Sequence, residues 1–378
     1  MLYGDSRGRG PAGTEPGSFP LTPLDVREGE EFLRWAARRG PGARAYWPAQ
    51  AVAAAALCAP PVIDIFTALS FFPVFDGTRW DPARLAGLGI TEDQLPRVNA
   101  EVGAPAGELA ASSPVGDRGS AAPAAGGVDV VAEQLTVALA APGEAQVMCG
   151  TTVITWAVVA DNGDVPGLWR LPHPRPGLCV LGGPSDTGGM FISWAQRLAS
   201  TRPHMTPAHP DRVPLWIPYV RGERAPFHDA SLRASLHDLD LTHDAMALRR
   251  AAYEAVGFVV RRHLDLAQAA PARIVATGGG VRDREWMQAL ADCTGAEVVP
   301  SAVPEEAALG MAWLARMAAG RESSLADAHR WFRAQRPVHP DERWVEACFR
   351  RYQRFCAITA DQLPRLNGHD PHDTVPGR

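Results

Sequence analysis

The sequence contains no lysine: all 37 of its basic residues are arginines. That absence removes whole classes of chemistry. No Schiff-base lysine and no Gly-Lys-Ser/Thr phosphate loop of the Walker type can be built from this chain. The accompanying abundance of Ala, Arg, Pro and Gly reads as compositional drift in a GC-rich genome. Cysteine is sparse, and no Cys-x-x-Cys pair occurs among Cys58, Cys149, Cys179, Cys293, Cys348 and Cys356. A disulfide framework or a zinc site is therefore not expected, and reduced thiols in a cytoplasmic protein are. Positive charge is not in excess, and a formal net charge of −5 argues against a nucleic-acid surface. The opening residues lack a basic segment followed by an apolar core, so no signal peptide is expected. The one long apolar stretch, Ala51 to Phe75, is interrupted by Pro60, Pro61, Asp64 and Pro73. It reads as helix, strand and turn, not as a membrane span.

What is present is an ordinary globular composition, 46% hydrophobic and 21% charged, in a chain long enough for two domains. The most informative stretch is Ile274-Val-Ala-Thr277-Gly278-Gly279-Gly280-Val-Arg-Asp283. Ile274 to Thr277 reads as a buried parallel strand. The glycines let backbone N–H groups converge on an anion or a nucleotide, although a tight strand-to-helix turn would use the same residues. Asp283 can cap a helix carrying Trp286, Met287 and Leu290 at helical spacing. Pro304-Glu-Glu-Ala-Ala-Leu-Gly310 follows. This is not the dinucleotide fingerprint, because the sixth residue counted from Gly278 is Asp283.

Upstream, patterning predicts helices over Glu28–Arg39, Pro82–Leu88, Val131–Ala140 and Leu248–Leu266. It also predicts a strand–turn–strand over Val147–Trp156 and a strand over Trp216–Tyr219. Gly182-Gly-Pro-Ser-Asp-Thr-Gly188-Gly189 leads into a helix with Phe191, Trp194 and Leu198. The same run misses the hydrolase elbow Gly-x-Ser-x-Gly at its last position. His204 and His209 lack metal-ligand spacing and read as surface residues, so no protein metal site is expected. Residues 8–23 and 103–126 are too rich in Gly, Pro, Ala and small polar residues for a folded core.

The order Gly126-Gly127-Val-Asp129, Gly150-Thr151-Thr152, Pro218-Tyr-Val-Arg-Gly222-Glu223-Arg224-Ala-Pro226, Thr277-Gly-Gly-Gly280 resembles the FGGY family of carbohydrate kinases. The resemblance runs from about Leu2 to Leu314 and is dense from Gly126 onward. It implies an α/β actin/hexokinase-like ATPase fold, with two ribonuclease-H-like lobes around a cleft. It also implies ATP and Mg²⁺ as cofactors and a small sugar or polyol as substrate, with no membrane or nucleic-acid partner. Asp129 matches the family's catalytic base, which takes the hydroxyl proton during attack on the γ-phosphoryl group. A helix cap is the plainer reading of the same residue. Gly150, Thr151 and Thr152 match a phosphate turn, with an ordinary β-turn as the alternative. Gly189 and Ser193 match nucleotide contacts, and Gly278, Gly279, Gly280 and Asp283 flank the adenosine. Asp238 and Ala247 depart from the family pattern, standing where a glycine and a polar residue are usual.

Two family features have no counterpart here: an opening Asp-x-Gly-Thr phosphate turn, expected to organise Mg²⁺, and a Met-x-Gly-Gln-type sugar-binding segment. Asp5 and Arg7 instead resemble the Trp-x-Asp-x-Arg region near the substrate, and Asp64 a later Asp-x-x-x-Ala position. The expected organisation is an incomplete N-terminal sugar-binding lobe over 1–142 and a nucleotide-binding lobe over 143–320. C-terminal helices over 321–357 and a disordered tail over 358–378 complete it. On that reading this chain is a carbohydrate kinase by family that is inactive as it stands, with a separately encoded N-terminal fragment as a candidate partner. The alternative is a non-catalytic nucleotide-binding remnant.

Overall fold

The computed structural model describes residues 28–57, 61–107, 123–137, 139, 141–173, 177–199, 208–303 and 305–360. The expectations for Asp5, Arg7, Cys58, His204, residues 8–23, most of 103–126 and the tail beyond 360 lie outside those residues. In chain order the elements are α1 (Glu28–Arg39), α2 (Ala49–Leu57), β1 (Val62–Asp64), α3 (Ile65–Leu69), α4 (Pro82–Leu88), β2 (Arg97–Asn99) and α5 (Asp129–Thr136). Then come β3 (Glu144–Cys149), β4 (Val153–Ala160), β5 (Trp169–Pro172), β6 (Leu178–Ser185), α6 (Gly189–Leu198), β7 (Leu215–Ile217), β8 (Ser235–His237) and α7 (Ala245–Leu266). The chain closes with β9 (Arg273–Thr277), α8 (Arg284–Thr294), β10 (Glu297–Pro300), α9 (Glu306–Ala318) and α10 (Glu342–Ile358). No helix among the described residues is long and apolar enough to cross a membrane.

Helix starts follow one rule. Asp64, Asp81, Asp244, Asp283 and Asp341 each sit at an N-cap and accept backbone N–H groups of the first turn. These bonds satisfy donors that the helix cannot pair internally. Gly89 and Gly295, at φ 69° and 71°, terminate α4 and α8 in the left-handed conformation. The strand expected over Trp216–Tyr219 runs instead from Leu215 to Ile217, because Pro218 brings no ladder donor. The helix expected over Val131–Ala140 runs from Asp129 to Thr136. Val137 leaves helical geometry at φ −85°, ψ 0°, and Pro142 disfavours helix at Ala141.

The described chain divides into two compact units, each discontinuous in sequence. One takes residues 28–146, 275–279 and 299–337; the other takes 147–274, 280–298 and 338–360. In the first unit β1 pairs parallel to β2 over Val62↔Arg97 to Asp64↔Asn99. A core of Leu33, Ile63, Val74, Phe75, Trp80, Leu85 and Leu95 packs there, with Phe71 and Phe75 edge-on to Trp80. Also in this unit, α5 lies against α9, so closely that a Cβ on Gly310 would strike the Ala132 backbone.

A six-stranded sheet has the order β10-β9-β3-β4-β6-β5. β4 and β6 are antiparallel from Val153↔Ser185 to Ala160↔Leu178. Gly182 sits inside β6 because a side chain there would collide with Thr155 of β4. In the second unit the buried helix α7 packs on α8, α6 and α10. Gly257 of α7 rests on Cys293 of α8, and Phe258 meets Tyr352 and Phe355 of α10.

Candidate functional site

The Gly150–Thr152 turn between β3 and β4 is docked on the start of α6. Gly189 N donates to Gly150 O at 2.9 Å, and Met190 N donates to Thr151 O at 3.0 Å. Gly150 N donates to Thr152 O at 3.0 Å, and Val153 N to Thr187 O at 2.9 Å. The fit requires glycine at 188 and 189. A Cβ on Gly188 would lie 2.5 Å from the Thr152 carbonyl carbon, and one on Gly189 would lie 2.7 Å from Gly150 O.

A planar trans peptide points its C=O and N–H in opposite directions. The Gly150 and Thr151 carbonyls face α6, so the Thr151 and Thr152 amides of the same peptide units point away from it. No hydrogen bond within the described chain takes up those amides or the two threonine hydroxyls, and Gly150 and Thr151 are exposed. Two successive outward amides with hydroxyls beside them form an anion-binding arrangement. Ser193, one turn further along α6, is also exposed.

The three glycines after β9 have three different reasons. Gly278 has φ 82°, a left-handed conformation that favours glycine. Gly279 has open space where a side chain would be. Gly280 has none: its Cβ would run into the Trp286 ring and lie 2.8 Å from Cys149 Cβ. Trp286 is 3% exposed, and its ring edge also lies 3.7 Å from a Cβ built on Gly189. This one indole therefore gathers the end of β3, the start of α6 and Gly280.

Asp283 caps α8 with Oδ1, accepting from Glu285 N at 3.1 Å and Trp286 N at 3.3 Å, as the sequence predicts. Its Oδ2 accepts the Tyr253 hydroxyl at 2.6 Å. Tyr253 accepts in turn from Gln196 Nε2 of α6 at 2.9 Å and from Arg249 Nη2 at 3.2 Å. Burial, then the bond to Asp283, pushes the Tyr253 hydroxyl up, so it remains a donor. Asp283 thus fixes α8 against α7 and α6 through Tyr253. Sequence reasoning gave neither Trp286 nor Tyr253 a site-building role; Trp286 showed only helical spacing, and Tyr253 lies in the stretch Ala251-Ala252-Tyr253-Glu254, which resembles the FGGY signature segment.

In the other unit, Gly126 has φ 82° and leads through Gly127 and Val128 into α5. The N-cap is Val128 and makes no side-chain cap bond. Asp129 occupies the first helical position with its side chain exposed, so it is not the cap. One turn on, Glu133 is half-buried beside two other carboxylates. Burial first, then Asp129 and Glu306, pushes its carboxyl up to about 7. Glu306 itself is buried and accepts from Thr136 Oγ1 at 2.6 Å and from Ser301 Oγ.

Because the folded-state value lies above that of the unfolded chain, Glu133 supports the fold below about pH 4.5. That support is lost as pH rises through about 7. Glu133→Gln, which mimics the protonated form, is expected to stabilise the protein at pH 8. The gain should be about 1–2 kcal/mol after allowing for partial exposure, and it should vanish at pH 4. Urea melts at the two pH values check it; an equal effect at both would contradict the assignment.

Residues 157–319 match the FGGY family of carbohydrate kinases, C-terminal domain. The chain is 27% identical to the xylulose kinase of Escherichia coli over 315 residues, 76% of this chain and 62% of that protein. It is 30% identical to a glycerol kinase of Aromatoleum aromaticum over 301 residues, 73% of this chain and 58% of that one. A ligand-bound xylulose kinase from Lactobacillus acidophilus superposes with a TM-score of 0.77 at 20% identity, covering 90% of this chain and 72% of that chain. Residues 157–319 thus belong to the FGGY family of carbohydrate kinases. The chain has the actin/hexokinase-like ATPase fold of that family. It spans about six-tenths of the length of the two curated relatives. The family's usual glycine position at Asp238 is informative, for Asp238 has φ 59°. Aspartate is among the few other residues that enter this region at modest cost.

Proposed function

We propose that this protein transfers the γ-phosphoryl group of ATP to a hydroxyl of a sugar or polyol. The observation that carries the proposal is the pair of outward amides at Thr151 and Thr152, with their hydroxyls, on a turn locked against α6. In the proposed reaction they receive the β- and γ-phosphates as neutral donors that replace water. Gly189 and Ser193 border the nucleotide, and Gly278, Gly279, Gly280 and Asp283 form the adenosine side, where the open face of Gly279 leaves room. Asp129 is the proposed general base, exposed at the first position of α5. Asp5 and Arg7 are proposed for substrate on the resemblance alone.

Among the described residues no three His, Cys, Asp or Glu side chains converge as a metal cluster. Mg²⁺ commonly needs only one or two carboxylates plus substrate phosphates, so in the proposal it arrives with ATP. Bound there, it would neutralise developing phosphate charge.

The test is ADP release with Mg-ATP and xylulose, gluconate or glycerol, alongside calorimetry of ATP binding. Saturable, acceptor-dependent ADP release supports kinase activity. A second reading, nucleotide binding without turnover, is favoured by the lack of any Asp-x-Gly-Thr turn in this sequence. It predicts ATP binding with no acceptor-dependent release. Absence of ATP binding by the folded chain overturns both.

A further inference from the structure

Glu223 is 3% exposed, and its carboxylate is bonded by residues 185–187 and by the neighbouring Arg224 amide. Oε1 accepts the backbone amides of Asp186 and Arg224, both at 2.7 Å. Oε2 accepts the Ser185 hydroxyl at 2.7 Å and the Thr187 hydroxyl at 3.2 Å. Ser185 Oγ accepts Thr187 N at 3.0 Å, and Arg224 pairs with Asp186 at 2.8 Å. Each of residues 185–187 is therefore tied to this one side chain.

That loop is the piece that grips the Gly150–Thr152 turn. Thr187 O takes the Val153 amide, Gly188 packs on Thr152, and Gly189 and Met190 donate to Gly150 and Thr151. On its other side Glu223 is itself anchored. Its backbone exchanges two 2.9 Å bonds with Asp229, and Ala225 donates to Pro184 O at 3.0 Å. Ala225 O meets His263 Nε2 of the buried helix α7 at 2.8 Å. An unbroken series of short bonds thus runs from α7 through Glu223 and residues 185–189 to the turn.

We infer that Glu223 is a positioning residue, holding the Gly150–Thr152 turn in the geometry that aims the Thr151 and Thr152 amides at phosphate. The inference rests on the phosphate-turn reading above. It is the acceptor geometry that matters. Glutamine retains one oxygen for the two amides and presents an NH₂ group to two hydroxyls that can accept, whereas methionine fills similar space and orphans both amides.

Two measurements on the full chain at pH 8 test this, with Glu223→Met, Glu223→Gln and Ser185→Ala. Hydrogen exchange should accelerate at least about tenfold at the Val153, Gly189 and Met190 amides in Glu223→Met and stay near wild type in α10. Calorimetry should show the ATP affinity of Glu223→Met falling at least about tenfold more than that of AMP, which lacks the outer phosphates. Glu223→Gln should stay within about threefold of wild type in both. Ser185→Ala, which keeps the carboxylate and removes one tie, should show the same pattern at smaller amplitude and serves if Glu223→Met does not fold. Unchanged exchange at the three amides, or equal loss of ATP and AMP binding, overturns the inference. If wild type binds no ATP, the phosphate reading fails, and exchange alone still decides whether Glu223 sets the turn.

Discussion

If the proposed sugar or polyol phosphorylation is measurable, replacing Asp129 by asparagine is expected to lower its kcat by about 10²–10⁴-fold, while nucleotide affinity stays within about threefold. Asparagine keeps the shape and hydrogen-bonding reach of the side chain but cannot take the substrate proton. A helix-cap role would have made the loss structural. Val128, not Asp129, occupies the N-cap of α5, and Asp129 is exposed at the first helical position. At that position its charge sits favourably near the N-terminal end of the helix dipole, worth about 0.3–1 kcal/mol. The variant should therefore melt close to wild type while losing turnover. The proposed phosphate contacts lie on Thr151 and Thr152, which leaves ATP affinity to be measured separately by calorimetry. A kcat within about threefold of wild type, under about 1 kcal/mol, would remove Asp129 from the base role.

The parts of this architecture legible in the sequence are those set by near neighbours. Asp283, two residues before Glu285, announces a helix start and caps it as expected, and the short helix expected over Pro82–Leu88 is present, with Asp81 as its cap. Gly150-Thr-Thr announces the turn between β3 and β4 because strand-like runs flank it. The illegible parts are set by residues distant in the chain. The triglycine reads as one motif, yet only the Trp286 ring and Cys149 explain why position 280 admits no side chain while 279 does. Gly310 looks like a weak point in a helix until Ala132 of α5 is seen against it. Glu133 looks like a solvated helix residue, but burial together with Glu306 on a different helix makes it a group that titrates near neutrality. The helix expected to run on to Ala140 ends at Thr136, where Val137 leaves helical geometry. Even so, the departure from family pattern at Asp238 was visible in the sequence, and its φ of 59° gives the physical reason for the usual glycine.

The largest stability effect is expected at Glu254. It is 1% exposed in the middle of α7 and carries two arginines. Arg250 Nε lies 2.8 Å from Oε1, and Arg351 of α10 reaches Oε2 at 2.7 Å with Nε and Oε1 at 2.8 Å with Nη2. Arg250 also reaches buried Asp292 of α8 at 2.7 Å and lies over the Trp344 ring at 3.9 Å. Arg351 donates to Pro210 O at 2.6 Å. Two arginines against two carboxylates leave this interior balanced, and three helices meet on it. Burial opposes the charge on Glu254, but Arg351 and Arg250 outweigh it and hold the carboxyl below the usual range. Glu254→Gln keeps the shape and leaves one arginine charge uncompensated, a change that in buried pairs costs about 3–5 kcal/mol. The folded-state value is depressed, so Glu254 contributes its stability above about pH 4.5 and loses it as pH falls through the folded value. The difference between wild type and Glu254→Gln should therefore be full at pH 7 and shrink in acid. Urea melts across that range decide it. A cost under about 1 kcal/mol at pH 7 would mean that water reaches the network and that packing around Phe258 and Tyr352, not charge, joins α7 to α10.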